Sequence, residues 1–204
     1  MSNFQLVRGC KAPDLTGIHE AYSISTGKGF QYFEINVSAE NIDRVFRELT
    51  KEVVEPAFLL LEHGTNRFVE DELRKIDTDP FHKDVHYMDG LTYKYLMELF
   101  DAYGELLIND GGSSFGFGSH KGIDEVFVTK YKIFNIYTND PVKYENKLIK
   151  LGFSKVEKLK TVWETFTPET PGECETIEIN GLDVYGLVEH LSTNGMYLAE
   201  RRED

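Results

Sequence analysis

Two histidines four residues apart, in Asp79-Pro80-Phe81-His82-Lys83-Asp84-Val85-His86, form the most suggestive polar cluster of the chain. On a helix such a pair shares one face, and with a carboxylate from elsewhere it can hold a metal ion, the chemistry of a small metal-dependent hydrolase. The local residues weigh against that reading. A zincin carries His-Glu-x-x-His with the glutamate as general base, whereas Lys83 follows His82 here. Pro80 can open a helix, but the segment has no apolar periodicity, so His82 and His86 read first as loop histidines. Glu62 and His63, at the end of an apolar run, add little, and no metal or other cofactor is expected.

The second candidate is the glycine-rich run from Asn109 to Gly122. Glycine-rich backbone cradles phosphate when it opens into a helix, as in G-x-x-x-x-G-K-[S/T] or G-x-G-x-x-G. Neither pattern is present, and Lys121 is followed by Gly122 and a strand-like segment. The run therefore reads as a strand in which Gly116 and Gly118 alternate with Phe115 and Phe117 on opposite faces. The rival reading is a functional loop, in which Asp110, Phe115, Phe117 and His120 line a partner surface or ligand pocket.

No nucleophile and base stand in a catalytic arrangement. The chain carries no cysteine-protease signature. Cys10 and Cys174 belong to no C-x-x-C or zinc spacing and read as free thiols of a reducing compartment. Trp163, the single tryptophan, reads as core or a cross-strand anchor.

These residues must be positioned by elements legible in the pattern. Residues 1–28, punctuated by Gly9, Pro13, Gly17 and Gly27, read as an irregular N-terminal arm, and residues 29–204 as one domain. Phe33, Ile35 and Val37 alternate with polar neighbours as a strand does; Ile42, Val45, Phe46, Leu49 and Val53 recur at helical spacing after a Ser38 cap. Ala57 to Leu61 reads as a strand buried on both faces, and residues 62–90 as loop apart from a short helix near Phe68 to Lys75. A second helix runs from a Thr92 cap to Gly104, followed by a short strand at Leu106 to Ile108. Glu125 to Tyr137 reads as a central strand or hairpin arm, and Asp140-Pro141 opens a helix that Gly152 closes. Strands are expected at Thr161 to Thr167, Glu175 to Ile179 and Met196 to Glu200, with a short helix at Leu182 to Leu191. Strand–helix units starting near Phe30 and Glu125 echo each other. The expected fold is α+β: a mostly antiparallel or mixed sheet of five to eight strands with three or four helices on one face, α/β being the alternative.

Charge sets the class of partner. With 22 Lys+Arg against 35 Asp+Glu the net charge is −13, which disfavours nucleic acid and anionic membranes and favours a basic protein partner. The charge is polarised: segments 61–125 and 161–204 carry −8 each, and 126–160 carries +5. Lys143, Lys147 and Lys150 lie along one side of the helix after Pro141, a solvated face or, in a third reading, an anion-binding regulatory site. The N-terminal residues offer no apolar leader segment, so a cytoplasmic, non-membrane protein is expected. The leading expectation is a non-enzymatic, acidic binding protein of the immunity or inhibitor type.

Overall fold

Alternation in Gln31–Asn36 places Phe33 and Ile35 on one face of a strand and Tyr32 and Glu34 on the other, and the same two-sidedness runs through the whole sheet that this strand joins. The computed structural model describes residues 4–204. Its elements are β1 (Cys10–Lys11), β2 (Ala21–Thr26), β3 (Gln31–Asn36), α1 (Ile42–Thr50), β4 (Ala57–Gly64), α2 (Arg67–Leu73), β5 (His82–Leu91), α3 (Tyr93–Asn109), β6 (Ser113–Ser119), β7 (Glu125–Val128), β8 (Phe134–Thr138), α4 (Pro141–Leu151), β9 (Ser154–Lys155), β10 (Glu173–Cys174), α5 (Val184–Ser192) and β11 (Tyr197–Glu203). Nine strands form one sheet in the order β11-β5-β4-β6-β7-β8-β3-β2-β9, antiparallel except for the parallel pair β2–β9; β1 and β10 form a separate two-stranded ladder. The fold is α+β.

One face of the sheet is dry. Leu59, Leu61, Phe115, Phe117, Val126, Val128, Phe134, Ile136, Phe33 and Ile35 point into a core roofed by α1, α3, α4 and α5. Phe46 of α1 stacks on Phe100 of α3 at 4.6 Å and meets the edge of Phe115 at 5.1 Å, tying two helices to the sheet centre. Among the described residues the α-helices of the core all pack on that face. The chain uses one device twice: a hairpin, a helix and a strand returning parallel, as β2–β3–α1–β4 and again as β7–β8–α4–β9, with β3 and β8 as antiparallel neighbours. The echo expected between units starting near Phe30 and Glu125 runs instead between units starting at Ala21 and Glu125.

Several expectations give way to tertiary packing. Residues 82–90, expected as loop, belong to the long strand β5, because its buried polar residues find partners on β4, β11 and the preceding loop. Gly104 does not end α3: the helix continues to Asn109, burying Leu106, Leu107 and Ile108, and the hydrogen of Gly104 leaves room for the Phe100 ring, whose nearest atom lies 3.1 Å from where a Cβ would stand. Glu125 to Tyr137 is a hairpin, not one strand. Tyr131 and Lys132 adopt left-handed backbone at φ 58° and 57°, so Phe127 and Tyr137 face the open side while Val126, Val128, Phe134 and Ile136 face the core. The Thr161–Thr167 segment holds a 3-10 turn, Val162–Thr165, with a Thr161–Glu164 capping box. The strand expected at Glu175 to Ile179 does not form; the two-residue β10, Glu173–Cys174, lies just before it. Within the stretch expected to be an irregular arm, β2 is a full member of the sheet. Among the described residues no helix is long and apolar enough to cross a membrane.

Candidate functional site

The open face is built in rows of side chains that the strand register places side by side. One row runs Leu60, Gly116, Phe127, Asn135, Glu34 and Ser23 across β4, β6, β7, β8, β3 and β2. The next runs Phe58, Gly118, Glu125, Tyr137, Tyr32 and Ser25, and Glu62 lies opposite Ser114 on the other side. The glycines of β6 are what keep this face low at its centre. A Cβ on Gly118 would stand 2.2 Å from the Phe58 ring, and one on Gly116 would stand 2.7 Å from the Phe127 ring; both aromatics lie over the space left by hydrogen.

A cavity of about 430 Å³ opens on this face. Glu34, Glu62, Ser114, Phe127 and Asn135 line it from the sheet, and Trp163, 48% exposed, Cys174, Lys83, Lys130 and Asp204 complete its wall. The carboxylates fall into two classes. Glu62 is neutralised, lying 3.4 Å from Lys83 Nζ and accepting a hydrogen bond from Arg202 of β11; Asp204 takes Lys130 at 2.5 Å and Lys83 at 3.7 Å. Glu34 and Glu125 have no cation and no side-chain hydrogen bond among the described residues. Both carboxyls are pushed above the usual carboxylate range, Glu34 by desolvation and the Glu164 charge, Glu125 by desolvation and the Glu62 charge. Around them lie Tyr32, Tyr137, Phe127 and Trp163. Half-buried carboxylates without a counter-ion, set among aromatic rings, are chemically complementary to a cation that brings its own donors.

On the core side, the same strands end in a polar cluster. His63 stacks on His86, ring centroids 5.0 Å apart, and meets the Tyr185 ring of α5 edge-on. Asp84 accepts from Thr65 Oγ1 at 2.7 Å and takes Arg201 through two N–H···O bonds at 2.6 and 2.8 Å. Burial and the His63 charge pull His86 down to about 4. Lys132, completely enclosed, donates to the Ser113 carbonyl at 2.8 Å, and burial lowers its ammonium to about 8.

The residues singled out by spacing are dispersed. His82 and His86 lie four positions apart on one strand, about 13 Å along it, rather than a helical turn apart. His82 Nδ1 sits 3.2 Å from Glu70 Oε2 and His86 on His63, so the two do not converge, and among the described residues no three His, Cys, Asp or Glu side chains stand as a metal-binding set. Phe115 and Phe117 are fully buried beneath the helices and offer nothing to a partner; they are core because β6 is central and the outward positions beside them belong to Ser114, Gly116 and Gly118. Asp110, also enclosed, accepts from the Ile177 amide at 2.9 Å and anchors the β10 loop. His120 remains at the surface, paired with Asp89 at 3.0 Å and resting on Phe58. The lysine side of α4 is mostly neutralised: Lys143 meets Asp124 at 2.6 Å, and Lys147 meets Glu48 and Glu52. Glu34 and Glu125 were missed as site residues, although each occupies the outward position of an alternating strand, where an acidic side chain between aromatics was the available signal. Comparison with protein-family models, with curated proteins and with solved structures gives no match.

Proposed function

We propose that this chain is a non-enzymatic, cytoplasmic binding protein whose open sheet face receives cationic side chains of a basic protein partner, in the manner of an immunity or inhibitor protein. The observation that carries the reading is Glu34, desolvated, without a cation among the described residues, and lining the open-face cavity, with Glu125, likewise desolvated and without a cation among the described residues, in the adjoining row of the same face. An arginine entering there gains charge-assisted hydrogen bonds and ring stacking at once, and relieves the cost of an unpaired carboxylate. The net charge of −13 adds long-range attraction, which favours rapid association.

Trp163 on the cavity wall is the chain's single tryptophan and an intrinsic reporter. Titration with an arginine-rich peptide is expected to change its fluorescence saturably, with affinity falling about tenfold or more in the Glu34→Gln, Glu125→Gln double variant and falling also with salt. An oligoglutamate control should give no change. Equal affinity for native and double-variant protein, or no response to the peptide, would sink the proposal.

A further inference from the structure

Cys10 and Cys174 are 164 residues apart in the chain and directly opposite each other across the β1–β10 ladder, Sγ to Sγ 3.7 Å. The ladder holds them there firmly. The Glu175 amide donates to the Gly9 carbonyl at 2.9 Å, the Gly9 amide to the Asn109 carbonyl at 2.9 Å, and the Gly111 amide to the Glu175 carbonyl at 3.0 Å, so both thiols are carried by backbone tied to the α3–β6 junction. The two sulfurs differ in setting. Cys10 is buried, whereas Cys174 is exposed and stands on the wall of the open-face cavity.

We propose that Cys10 and Cys174 are a reversible dithiol–disulfide pair, oxidised through Cys174 by a low-molecular-weight disulfide that reaches it from the cavity side. Cys174 is the attacking sulfur. The hydrogen bond with Cys10, helped by Tyr131 and by the ammonium groups of Lys130 and Lys132, draws its thiol down to about 7, while the same hydrogen bond to the Cys174 sulfur, and then burial, keep Cys10 protonated. In the first step the Cys174 thiolate attacks one sulfur of the small disulfide, forming a mixed disulfide and releasing one thiolate. In the second, Cys10 sulfur attacks Cys174 sulfur, forming the Cys10–Cys174 bond and expelling the second small thiolate, which takes up the Cys10 proton. Two protein thiols are oxidised, and one small disulfide is reduced to two thiols. The mixed disulfide removes the negative charge beside Cys10, so the buried thiol ionises more readily as it is required to attack. Closure joins β1 to β10 across the rim of the cavity. The inference does not depend on what the cavity binds.

Oxidised glutathione is the probe, on native full-length protein, with intact-mass analysis and peptide mapping under non-reducing conditions. The expected product is a monomer lighter by two hydrogens, with Cys10 and Cys174 in one linked peptide pair, no glutathione retained, and full recovery of two thiols on adding dithiothreitol. The bridge closes a loop spanning most of the chain, so the thermal midpoint of the oxidised form should rise by about 5–15 °C. Cys10→Ser should instead stop at the Cys174–glutathione adduct, and Cys174→Ser should remain unmodified. Two thiols still free in native protein, a stable glutathione adduct on the native chain, or only disulfide-linked dimers would each overturn the proposal.

Discussion

His86 is 7% exposed, stacked on a second imidazole and close to Arg201, an environment that penalises its charged form from three directions. Its folded value falls from 6.5 to about 4, so between those limits the unfolded chain binds a proton that the folded chain refuses. Stability from this residue is therefore fully present above pH 6.5 and is lost as pH falls through 6.5 toward 4, by about 2–3 kcal/mol. Urea midpoints should decline over that window in the native protein, and the decline should be flattened in His86→Phe; parallel declines in both would show that another group is responsible. The open-face carboxylates have the opposite sign. Their folded values are raised, so the burden of ionising them is present at neutral pH and relieved in acid. Glu125→Gln should accordingly stabilise the protein at neutral pH, by about 0.5–1 kcal/mol, while weakening capture of arginine peptides. A Glu125→Gln protein less stable than native at neutral pH would mean that the carboxylate is already satisfied.

At the scale of elements, the short ladder β1–β10 depends on backbone segments approaching more closely than side chains allow. A Cβ on Gly111 would stand 1.9 Å from the Gly9 carbonyl oxygen, and one on Gly9 2.3 Å from the Gly111 nitrogen. Neither contact can be relieved by turning a side chain, since both partners are backbone. Gly111→Ala is expected to cost about 1–3 kcal/mol and to detach β1, with faster amide exchange at Gly9 and Glu175. Unchanged exchange at those two amides would count against the close approach. The loss should also slow disulfide formation, because the ladder is what brings Cys10 to Cys174. The edge strand β11 has a parallel role at the other end of the sheet: Arg201 and Arg202 supply the cations for Asp84 and Glu62, which lie near the sheet interior.

At the scale of the whole molecule, charge that is polarised along the chain is largely paired in space. Lysines of the basic segment 126–160 meet acids from elsewhere, Lys130 with Asp204, Lys143 with Asp124 and Lys147 with Glu48 and Glu52. The acidic excess that remains is carried by residues without such partners, Glu34 and Glu125 among them. Cooperativity comes from the core. Phe46, fully buried, contacts Phe100, Phe115 and Phe134 and so joins α1 to α3, β6 and β8. Phe46→Ala should lower stability by about 3–5 kcal/mol, with far-ultraviolet circular dichroism and Trp163 fluorescence shifting together to lower denaturant. Separate transitions for the two probes would mean that the Trp163 turn unfolds independently of the sheet.

The sequence by itself determined the α+β class and the elements whose pattern is local. The α4 boundaries follow from Pro141 at the first turn and Gly152 at φ 94°, a backbone angle glycine adopts at little cost. The amphipathic α1 and the alternation in β3 follow from period alone, as does the placement of Gly116 and Gly118 opposite Phe115 and Phe117. Tertiary structure decided what depends on partners distant in the chain. Strand β5 carries His82, Asp84 and His86 where a strand pattern would carry apolar residues, and it becomes legible only once Glu70, Arg201 and His63 are in place. The site divides in the same way. That Glu34 and Glu125 occupy outward strand positions is local information; that no cation among the described residues reaches either is a property of the assembled face. Cys10 and Cys174, read along the chain as two unrelated thiols, become neighbours because three backbone segments converge at Gly9, Gly111 and Glu175, and no spacing in a linear sequence encodes that convergence.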